Sequence, residues 1–358
     1  MDSMPSTNLP VVETRASIRD TMSMIDQCAR GIALVVDEQQ RLLATVTDGD
    51  IRRAILGGID LNQPVMRLKQ GQPDPPATSP VTAPLGTSEA EILALMRTHV
   101  VRQVPLLDEG GRVCGLVVLD DLVPETELPV TGVIMAGGYG KRLMPLTESV
   151  LKPMLPVNGR PLLEHMLGKL RQAGIRSVSL ATHHLSDTIV EHFKDGSAFG
   201  MNLNYIRESE PRGTAGALSK LPASAQPFLV MNGDILTGVD VRAMLDFHRD
   251  HRADLSVGVR QYDIEVPFGL VQTNGVKVTA ITEKPVLRHF INAGVYIVNP
   301  PVCAFVPGDG RFDMPDLIDA VLKSGGNVVS FPIREYWLDI GRIEHYQRAK
   351  IDVAEGVV

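Results

Sequence analysis

Cysteine is scarce in this sequence of 358 residues, and the three that occur are widely spaced. Cys28, Cys114 and Cys303 are odd in number and lack the spacing of metal ligands, so neither a disulfide framework nor a zinc site is expected. We interpret them as small core residues of a protein from a reducing compartment. Positive charge is also limited: the formal net charge is −7 and no basic run occurs, which argues against a nucleic-acid partner.

Long apolar runs and a leader pattern are missing as well. The first ten residues, MDSMPSTNLP, contain no basic stretch or apolar core, and no apolar segment approaches the ~20 residues that cross a bilayer. The sequence therefore predicts a cytoplasmic protein without a membrane partner. No GxSxG or HExxH pattern occurs, so the sequence contains no motif for a serine nucleophile or for a catalytic zinc site. We expect His248 and His251 to be solvated surface residues.

An internal repeat occupies residues 1–125. A shift of about 71 positions lays residues 17–50 over 88–121 without a gap. Each copy predicts a helix, a strand, an acidic turn, a second strand and a short helix opened by Asp50 or Asp121. This pattern resembles a tandem CBS pair, with repeats at about 11–66 and 78–124. GQPDPPATSP is predicted to link the repeats, and VPETELPVT to link the pair to the rest of the chain.

The most informative stretch is residues 131–157, TGVIMAGGYGKRLMPLTESVLKPMLPV. Its first residues are apolar without alternation and predict a buried strand, which ends in a glycine loop over 137–140. Glycines at such a point let backbone N–H groups approach an anion closely, and Lys141 and Arg142 add positive charge at the end of the loop. The loop is therefore typical of a nucleotide site.

Counting excludes two common glycine loops. A Walker loop would need glycine in place of Met135 and Ser or Thr in place of Arg142, and a dinucleotide fingerprint would need glycine in place of Leu143. The stretch instead resembles the signature of sugar-1-phosphate nucleotidylyltransferases, GxGxRLxPLT followed by KPxLPV. The matching positions are Gly138, Gly140, Arg142, Leu143, Pro145, Leu146, Thr147, Lys152, Pro153, Leu155, Pro156 and Val157. The nucleotide-binding residues that the resemblance implies here are Ala136, Gly137, Gly138, Gly140 and Lys141.

Two acidic residues follow short apolar strands. Asp234 ends the triplet Asn232-Gly233-Asp234 after FLVM, and Asp339 lies in YWLDIG. A carboxylate at a strand end beside glycine suits Mg²⁺, which takes oxygen ligands from one or two carboxylates plus substrate phosphates. The alternatives are a simple turn for Asp234 and a cap for Asp339, on a helix beginning near Arg342. The resemblance implies that Asp234 and Asp339 share one magnesium ion.

Three further segments match the same family. EPRGTAG, residues 210–216, resembles a glycine turn that lies against the base and opens a helix, although Arg212 replaces a common leucine. EKP, residues 283–285, resembles an element whose lysine holds the sugar phosphate, and NAGVY, residues 292–296, resembles a strand that faces the sugar. The resemblance implies nucleotide binding by Glu210, Gly213 and Thr214, and sugar binding by Gly233, Glu283, Asn292 and Gly294.

The fold predicted for the second part of the chain is α/β. Helices and strands alternate after the signature, with a helix expected over Thr214–Leu221, and this order predicts a mostly parallel sheet with helices on both faces. The resemblance implies a Rossmann-like nucleotidylyltransferase domain of the GT-A type at residues 130–358, preceded by the CBS pair at 1–125. We expect a homo-oligomer of unspecified size.

The reaction implied by the resemblance joins an NTP and a sugar 1-phosphate into an NDP-sugar and releases pyrophosphate. The attacking phosphate oxygen is already anionic, so positioning and charge neutralisation would carry catalysis. Arg142 and Lys152 would hold the departing pyrophosphate, and Lys284 the sugar phosphate. Asp234 and Asp339 would hold the magnesium ion.

The base and the sugar are less constrained by the sequence. CBS-fused members resemble the glucosamine-1-phosphate guanylyltransferases of legionaminic acid biosynthesis, so GTP with an amino-sugar or hexose 1-phosphate, for surface glycan precursors, is the first expectation. The GTAG turn at Gly213 offers backbone groups to a purine edge. UTP or dTTP with another hexose phosphate is one alternative, and a catalytically inactive nucleotide-sensing regulator is another.

A second ligand is expected in the CBS pair. Such pairs commonly hold adenine nucleotides through a Thr or Ser three residues before an Asp. The first repeat has Thr47 and Asp50 in these places, whereas the second keeps Asp121 but has Val118 in place of the hydroxyl. The alternative is a docking or dimerisation unit in which Asp50 only caps a helix.

Overall fold

The computed structural model describes residues 9–28, 30–69, 80–122, 127–138, 140–148, 150–183 and 186–357, with the backbone alone for Asp120, Lys141 and Ser186. The chain divides into two compact units, Met1–Thr126 and Glu127–Val358. Most of the expected inter-repeat linker, and residues 123–126 of the second linker, lie outside the described residues. Among the described helices, none combines the length and apolar character needed to cross a membrane.

Two repeats of one topology form the first unit. In each, the first strand pairs in parallel with the second, which pairs antiparallel with the third. A 3₁₀ turn at Val65–Lys69 closes the first repeat. The elements are β1 (Val11–Glu13), α1 (Ile18–Cys28), β2 (Ile32–Val36), β3 (Leu42–Thr47), α2 (Asp48–Leu56), β4 (Ala83–Pro84), α3 (Glu89–His99), β5 (Gln103–Leu107), β6 (Val113–Val118) and α4 (Leu119–Leu122).

The last helix of each repeat begins earlier than the sequence predicted. Helix α2 begins at Asp48, and Thr47 is its N-cap. The Asp50 amide donates to Thr47 Oγ1 at 3.2 Å, while the Thr47 amide donates to the Asp50 carboxylate at 2.9 Å. Helix α4 begins at Leu119, so Asp121 lies within it. The expectation that Asp50 and Asp121 open these helices is wrong, because Thr47 fills the capping position and Asp50 completes a capping box.

The second unit contains thirteen strands and five α-helices among its described residues. Its strands are β7 (Thr131–Met135), β8 (Pro156–Val157), β9 (Arg160–Pro161), β10 (Ser177–Thr182), β11 (Asn202–Arg207), β12 (Phe228–Asn232), β13 (Ile235–Thr237), β14 (Leu255–Glu265), β15 (Leu270–Asn274), β16 (Lys277–Thr282), β17 (Val286–Val298), β18 (Val328–Pro332) and β19 (Trp337–Asp339). Its helices are α5 (Leu162–Gln172), α6 (Ser186–Phe193), α7 (Val241–Asp250), α8 (Met314–Lys323) and α9 (Ile343–Ala354).

A seven-stranded sheet is the frame of this unit. Its order is β11-β10-β7-β12-β17-β14-β18, and all neighbours are parallel except the two pairs that involve β17 with β12 and with β14. The central strands are apolar without alternation, and Val133, Leu180 and Val230 are fully buried. Burial on both faces is expected of parallel strands covered by helices on each side. The predicted α/β fold with a mostly parallel sheet is confirmed.

One predicted helix is absent from the described structure. Residues Thr214–Leu221 form only a 3₁₀ turn over Gly216–Lys220. The reason is that Thr214 bonds outside its own segment: its amide donates to Asp313 Oδ1 at 2.8 Å, and its hydroxyl accepts from the Met314 amide at 2.9 Å. These bonds fix Thr214 to the start of α8, so the turn cannot wind as a regular helix.

Two side-chain expectations also need correction. His248 is buried, with its ring nitrogens 2.8 Å from Ser256 Oγ and 3.1 Å from Asn299 Oδ1, and His251 stacks on Phe247 at 4.0 Å between ring centroids. The expected solvated role is therefore wrong for His248, which belongs to the packing of α7 against the sheet. The three cysteines are free, and each is only half-buried.

Candidate active site

A cavity of about 270 Å³ opens at the edge of the sheet where β7, β10 and β12 end. The carboxyl ends of parallel strands are the usual place for ligands in open α/β sheets. The signature loop, the turn after β11 and the triplet after β12 all contribute to the wall. The lining residues are Met135, Ala136, Gly137, Gly138, Lys152, Pro153, Ala181, Glu208, Pro211, Arg212, Gly213, Thr214, Asn232, Gly233, Asp234, Arg311 and Asp313.

Glycines allow the loops of this cavity to approach one another. The Gly233 amide donates to the Met135 carbonyl at 2.9 Å, and a Cβ on Gly233 would lie 2.6 Å from the same oxygen. Gly140 has a φ of +63°, and a Cβ there would lie 2.9 Å from Thr147 Cγ2. A Cβ placed on Gly138 would meet no atom within 4 Å among the described residues, its chain neighbours aside. The signature loop is therefore tightly packed at one end and open at the other.

Two carboxylates meet beside the cavity although they are far apart in the sequence. Strands β13 and β19 pair antiparallel with Ile235 opposite Asp339, and the Ile340 amide donates to the Asp234 carbonyl at 2.9 Å. The Asp234 carboxylate also forms an ion pair with Lys152, whose Nζ lies 2.6 Å from Asp234 Oδ2. Asp339 is the last residue of β19, and α9 is capped at Arg342, so Asp339 is not a helix cap.

The acidic pair fits a divalent cation. Asp339 Oδ1 is buried and has no hydrogen-bond partner in the part of the chain that the structure describes. Burial raises the pKa of Asp339, and the like charge of Asp234 raises it further, against the positive charges of Lys152 and Arg142. The described residues hold no group of three or more metal-ligating side chains. Two carboxylates suffice for Mg²⁺ when substrate oxygens complete its shell.

The structure adds Glu208, which the sequence analysis did not identify. Its side chain lines the cavity between two glycines: a Cβ on Gly137 would lie 3.7 Å from Oε2, and one on Gly216 would lie 3.6 Å from Oε1. Glu208 is 8% exposed, and its Oε1 has no partner among the described residues. Burial raises its pKa, against a hydrogen bond and charge from Arg212. Glu208 therefore presents a buried carboxylate to the cavity.

The cavity lining includes three more residues to which the sequence analysis gave no role in the site: Arg212, Arg311 and Asp313. Asp313 accepts from the Thr214 amide at 2.8 Å and from Arg311 Nε at 2.9 Å. Burial opposes ionisation, but these donors hold the pKa of Asp313 below its usual value. Arg212 is buried and donates to the Pro307 carbonyl at 2.7 Å. Asp313 thus ties the GTAG turn to the start of α8, and Arg212 ties it to the segment before that helix.

The structure brings only some of the predicted site residues to the cavity. Those that line it are Ala136, Gly137, Gly138, Lys152, Gly213, Thr214, Gly233 and Asp234. Arg142, whose charge acts on Asp339, lies beside the cavity, and Gly294 packs against Asn232. Glu210, Glu283, Lys284 and Asn292 are exposed or lie beyond the lining residues, and the side chain of Lys141 lies outside the description.

Comparison with known proteins agrees with this geometry. A family profile described as "Nucleotidyl transferase" matches residues 131–356. The chain belongs to the nucleotidyl transferase family. A profile described as "CBS domain" matches residues 2–57 and 76–125, so this member carries two CBS domains before its transferase domain.

Curated relatives include a mannose-1-phosphate guanylyltransferase of Mycobacterium tuberculosis, 34% identical over 64% of this chain and 66% of that protein. A UTP–glucose-1-phosphate uridylyltransferase of Synechocystis is 30% identical over 60% of this chain and 61% of that protein. The chain thus spans less than two thirds of these relatives. Among solved structures, HddC from Yersinia pseudotuberculosis complexed with GMP-PN has a TM-score of 0.50 at 26% identity, covering 63% of this chain and 99% of that one.

Proposed function

We propose that this protein transfers a guanylyl group from GTP to a sugar 1-phosphate, giving a GDP-sugar and pyrophosphate. Family membership and the guanylyltransferases among its relatives support the reaction class. The cavity supports it independently, because it gathers an open glycine loop, Lys152 and Asp234 at one sheet edge. The sugar is a hexose or an amino-hexose. Because the glycine loop, Lys152 and Asp234 are all present, the chain is not expected to be an inactive nucleotide-sensing regulator.

The proposed reaction requires the protein to align the two substrates and to supply positive charge near their phosphates. A sugar-phosphate oxygen forms the new bond to the α-phosphorus, and the bond to pyrophosphate breaks. The oxygen is already anionic, so no general base is needed. Lys152 and Arg142 supply positive charge toward pyrophosphate, and Lys284 is assigned to the sugar phosphate. Lys152 is held in advance by Asp234 at 2.6 Å, which preorganises its charge.

Asp234 and Asp339 are the residues that would hold Mg²⁺. The unpartnered Asp339 Oδ1 and the adjacent Asp234 carboxylate provide hard oxygen donors of the kind that this ion prefers. When bound, Mg²⁺ supplies positive charge to the nucleotide phosphates. The ion pair with Lys152 orients the Asp234 carboxylate before the ion arrives.

Glu208 is the observation that favours guanine. The Watson–Crick edge of guanine presents two adjacent donors, N1–H and the N2 amino group, which one carboxylate can accept together. Uracil and thymine present a single N–H between two carbonyl oxygens, so a carboxylate would gain one hydrogen bond and face repulsion. A buried carboxylate with an unpartnered oxygen in the cavity therefore discriminates in favour of GTP over UTP or dTTP.

The test is a pyrophosphate-release screen of GTP, UTP, dTTP and ATP, each at equal concentration, against a panel of hexose and amino-hexose 1-phosphates. We expect turnover that depends on a divalent cation and yields chiefly a GDP-sugar. The Asp339→Ala variant serves as the inactive control. Turnover with UTP or dTTP instead would replace the guanine assignment, and no pyrophosphate from any pair would overturn the proposed reaction.

A second proposal concerns the CBS pair. We infer that its first repeat binds one adenine nucleotide through Thr47 and Asp50. Burial raises the pKa of Asp50, but the Thr47 amide and the charges of Lys69 and Arg53 outweigh burial and lower the pKa below its usual value. A ribose hydroxyl would share this carboxylate with Thr47, Arg53 and Lys69. In the second repeat, Asp121 lacks the neighbouring hydroxyl because Val118 takes its place, whereas ion pairs occur at both Asp50 and Asp121. Unequal occupancy of the two repeats follows.

A further inference from the structure

One buried arginine joins the turn after β11 to the segment that precedes α8. Arg212 is 7% exposed, and its guanidinium donates to the Pro307 carbonyl at 2.7 Å and, with a longer bond of 3.4 Å, to the Gly310 carbonyl. Its third contact is Ser219 Oγ, 3.2 Å from Nη1. A guanidinium carries five donors in a rigid fork and stays charged in proteins, so one side chain can hold several acceptors in place. Arg212 thus fixes two carbonyls of this segment to the turn.

The segment that Arg212 holds forms part of the cavity lining. Residues 307–312 adopt neither helix nor strand, and five of the six are exposed, so little packing of their own fixes their course. The Phe312 amide donates to the Arg212 carbonyl at 2.9 Å, and the Ala215 amide donates to the Phe312 carbonyl at 3.0 Å. Arg311, which lines the cavity, lies between these anchor points. Its position at the cavity therefore depends on the bonds between the segment and the turn.

The same arginine also holds the carboxylate that lines the cavity. The backbone N–H of Arg212 donates a hydrogen bond to Glu208, and this bond and the Arg212 charge lower the pKa of Glu208 against the larger effect of burial. Gly216 lets the two side chains approach: a Cβ there would lie 2.4 Å from Arg212 Cβ and 3.6 Å from Glu208 Oε1. Lys220 and His183 are the other groups whose charge acts on Glu208. A displacement of Arg212 would therefore displace a donor that holds the Glu208 carboxylate.

We propose that Arg212 is a positioning residue for base selection: its side chain holds the 307–312 segment and its backbone holds Glu208, so that these two parts of the cavity lining keep a fixed relative position. The inference rests on the proposed function, because only the proposed function assigns the base to Glu208. Two adjacent guanine donors need both carboxylate oxygens in place at once, whereas the single N–H of uracil needs one. Since hydrogen bonds weaken steeply when they are misaligned, a displaced carboxylate costs GTP more than UTP.

The test compares kcat/KM for GTP with kcat/KM for UTP, with the sugar 1-phosphate that the wild type uses best. The GTP:UTP ratio is the readout, because a merely structural defect lowers both values together. Arg212→Leu introduces the residue that is common at this place in the motif, and its ratio should fall at least about fivefold, the lower end of what a bidentate base contact provides. Arg212→Gln keeps a polar side chain but loses the charge and most donors. It should lower the ratio as well, and it replaces the leucine variant if that variant does not fold.

A double-mutant cycle tests whether Arg212 acts through Glu208. The variants are Arg212→Leu, Glu208→Gln and the two changes together, and the quantity compared is the logarithm of the GTP:UTP ratio. Changes that act on one shared contact are non-additive, whereas the effects of independent sites add. We expect the double variant to have the same ratio as Glu208→Gln alone, within about twofold. The position of the carboxylate no longer matters once the carboxylate has been removed.

Two controls separate this role from general damage to the turn. Arg207→Leu makes the same substitution at a side chain that is 60% exposed and does not line the cavity, and Ser219→Ala removes only one contact of Arg212. Both should keep the wild-type ratio. A folded Arg212 variant with the wild-type ratio, a control that loses as much as Arg212→Leu, or a cycle in which the two losses add would overturn this inference alone. A wild type that prefers UTP would overturn the guanine assignment and this inference together.

Discussion

The Glu208→Gln variant tests how the cavity selects its base. Glutamine keeps the shape of the side chain but offers one acceptor and one amino group, so it opposes one of the two guanine donors. A well-placed bidentate contact contributes about 1–3 kcal/mol of discrimination between bases. At 1.4 kcal/mol per tenfold, kcat/KM for GTP should fall roughly 5- to 150-fold relative to UTP.

The same variant should not lose stability, which separates a specificity effect from misfolding. Burial raises the pKa of Glu208 above its usual 4.5, so the folded state binds more protons than the unfolded state. Wild-type stability therefore falls as pH rises from about 4.5 through the raised pKa. Glutamine removes this charge, and we expect a gain of about 1 kcal/mol at pH 8, the lower end of the cost of an unsatisfied buried polar group.

The assays are competition kinetics with GTP and UTP, and thermal unfolding at pH 5 and pH 8. A gain of about 1 kcal/mol corresponds to roughly 2–4 °C in a domain of 150–250 residues, and the gain should be smaller at pH 5 than at pH 8. The informative comparison is Glu210→Gln, the same change two residues away at an exposed side chain. An unchanged GTP preference in Glu208→Gln, or a larger shift in Glu210→Gln, would refute the assignment of the base to Glu208.

Three further predictions concern the other site residues. Asp339→Ala should lower turnover by about a hundredfold or more, as loss of preorganised charge does, with folding checked by circular dichroism; near-normal turnover would remove it from the site. Lys284→Ala should mainly raise KM for the sugar phosphate, whereas Lys152→Ala should mainly impair use of the NTP; identical kinetic profiles would contradict the separate assignments. Calorimetry with ATP, ADP and AMP should detect binding that Asp50→Ala abolishes and Asp121→Ala spares; no binding would leave a docking unit.

Much of the fold could be predicted because its signals are local. The unbroken apolar runs of β7 and β12 and the five leucines and methionines on one face of α5 identify these elements from short windows. The two CBS repeats follow from self-similarity, which needs no tertiary information. Errors occurred where a side chain bonded outside its own segment: Thr214 is fixed by Asp313, and His248 by Ser256 and Asn299.

The site was predicted unevenly for the same reason. Motif matching selected Lys152 and Asp234, which line one cavity, but it could not indicate that they form an ion pair. Asp313 was missed because its partner Thr214 lies 99 positions away and a single acidic residue before a proline-containing helix has many ordinary explanations.

Glu208 is identified by the burial of its unpartnered carboxylate oxygen and not by a sequence motif. Buried polar atoms in proteins nearly always have partners, and each one left without a partner costs about 1–3 kcal/mol. Within the described residues, the unpartnered oxygens of Thr182, Glu208, Asn232 and Asp339 belong to residues at the strand ends that surround one cavity or to the acidic pair beside it. Several unpartnered polar atoms at one edge of the sheet indicate a binding site for a polar ligand that completes their hydrogen bonds. The proposed substrates carry hydroxyl and base N–H donors for the carboxylate oxygen of Glu208, and the proposed divalent cation would satisfy the oxygen of Asp339.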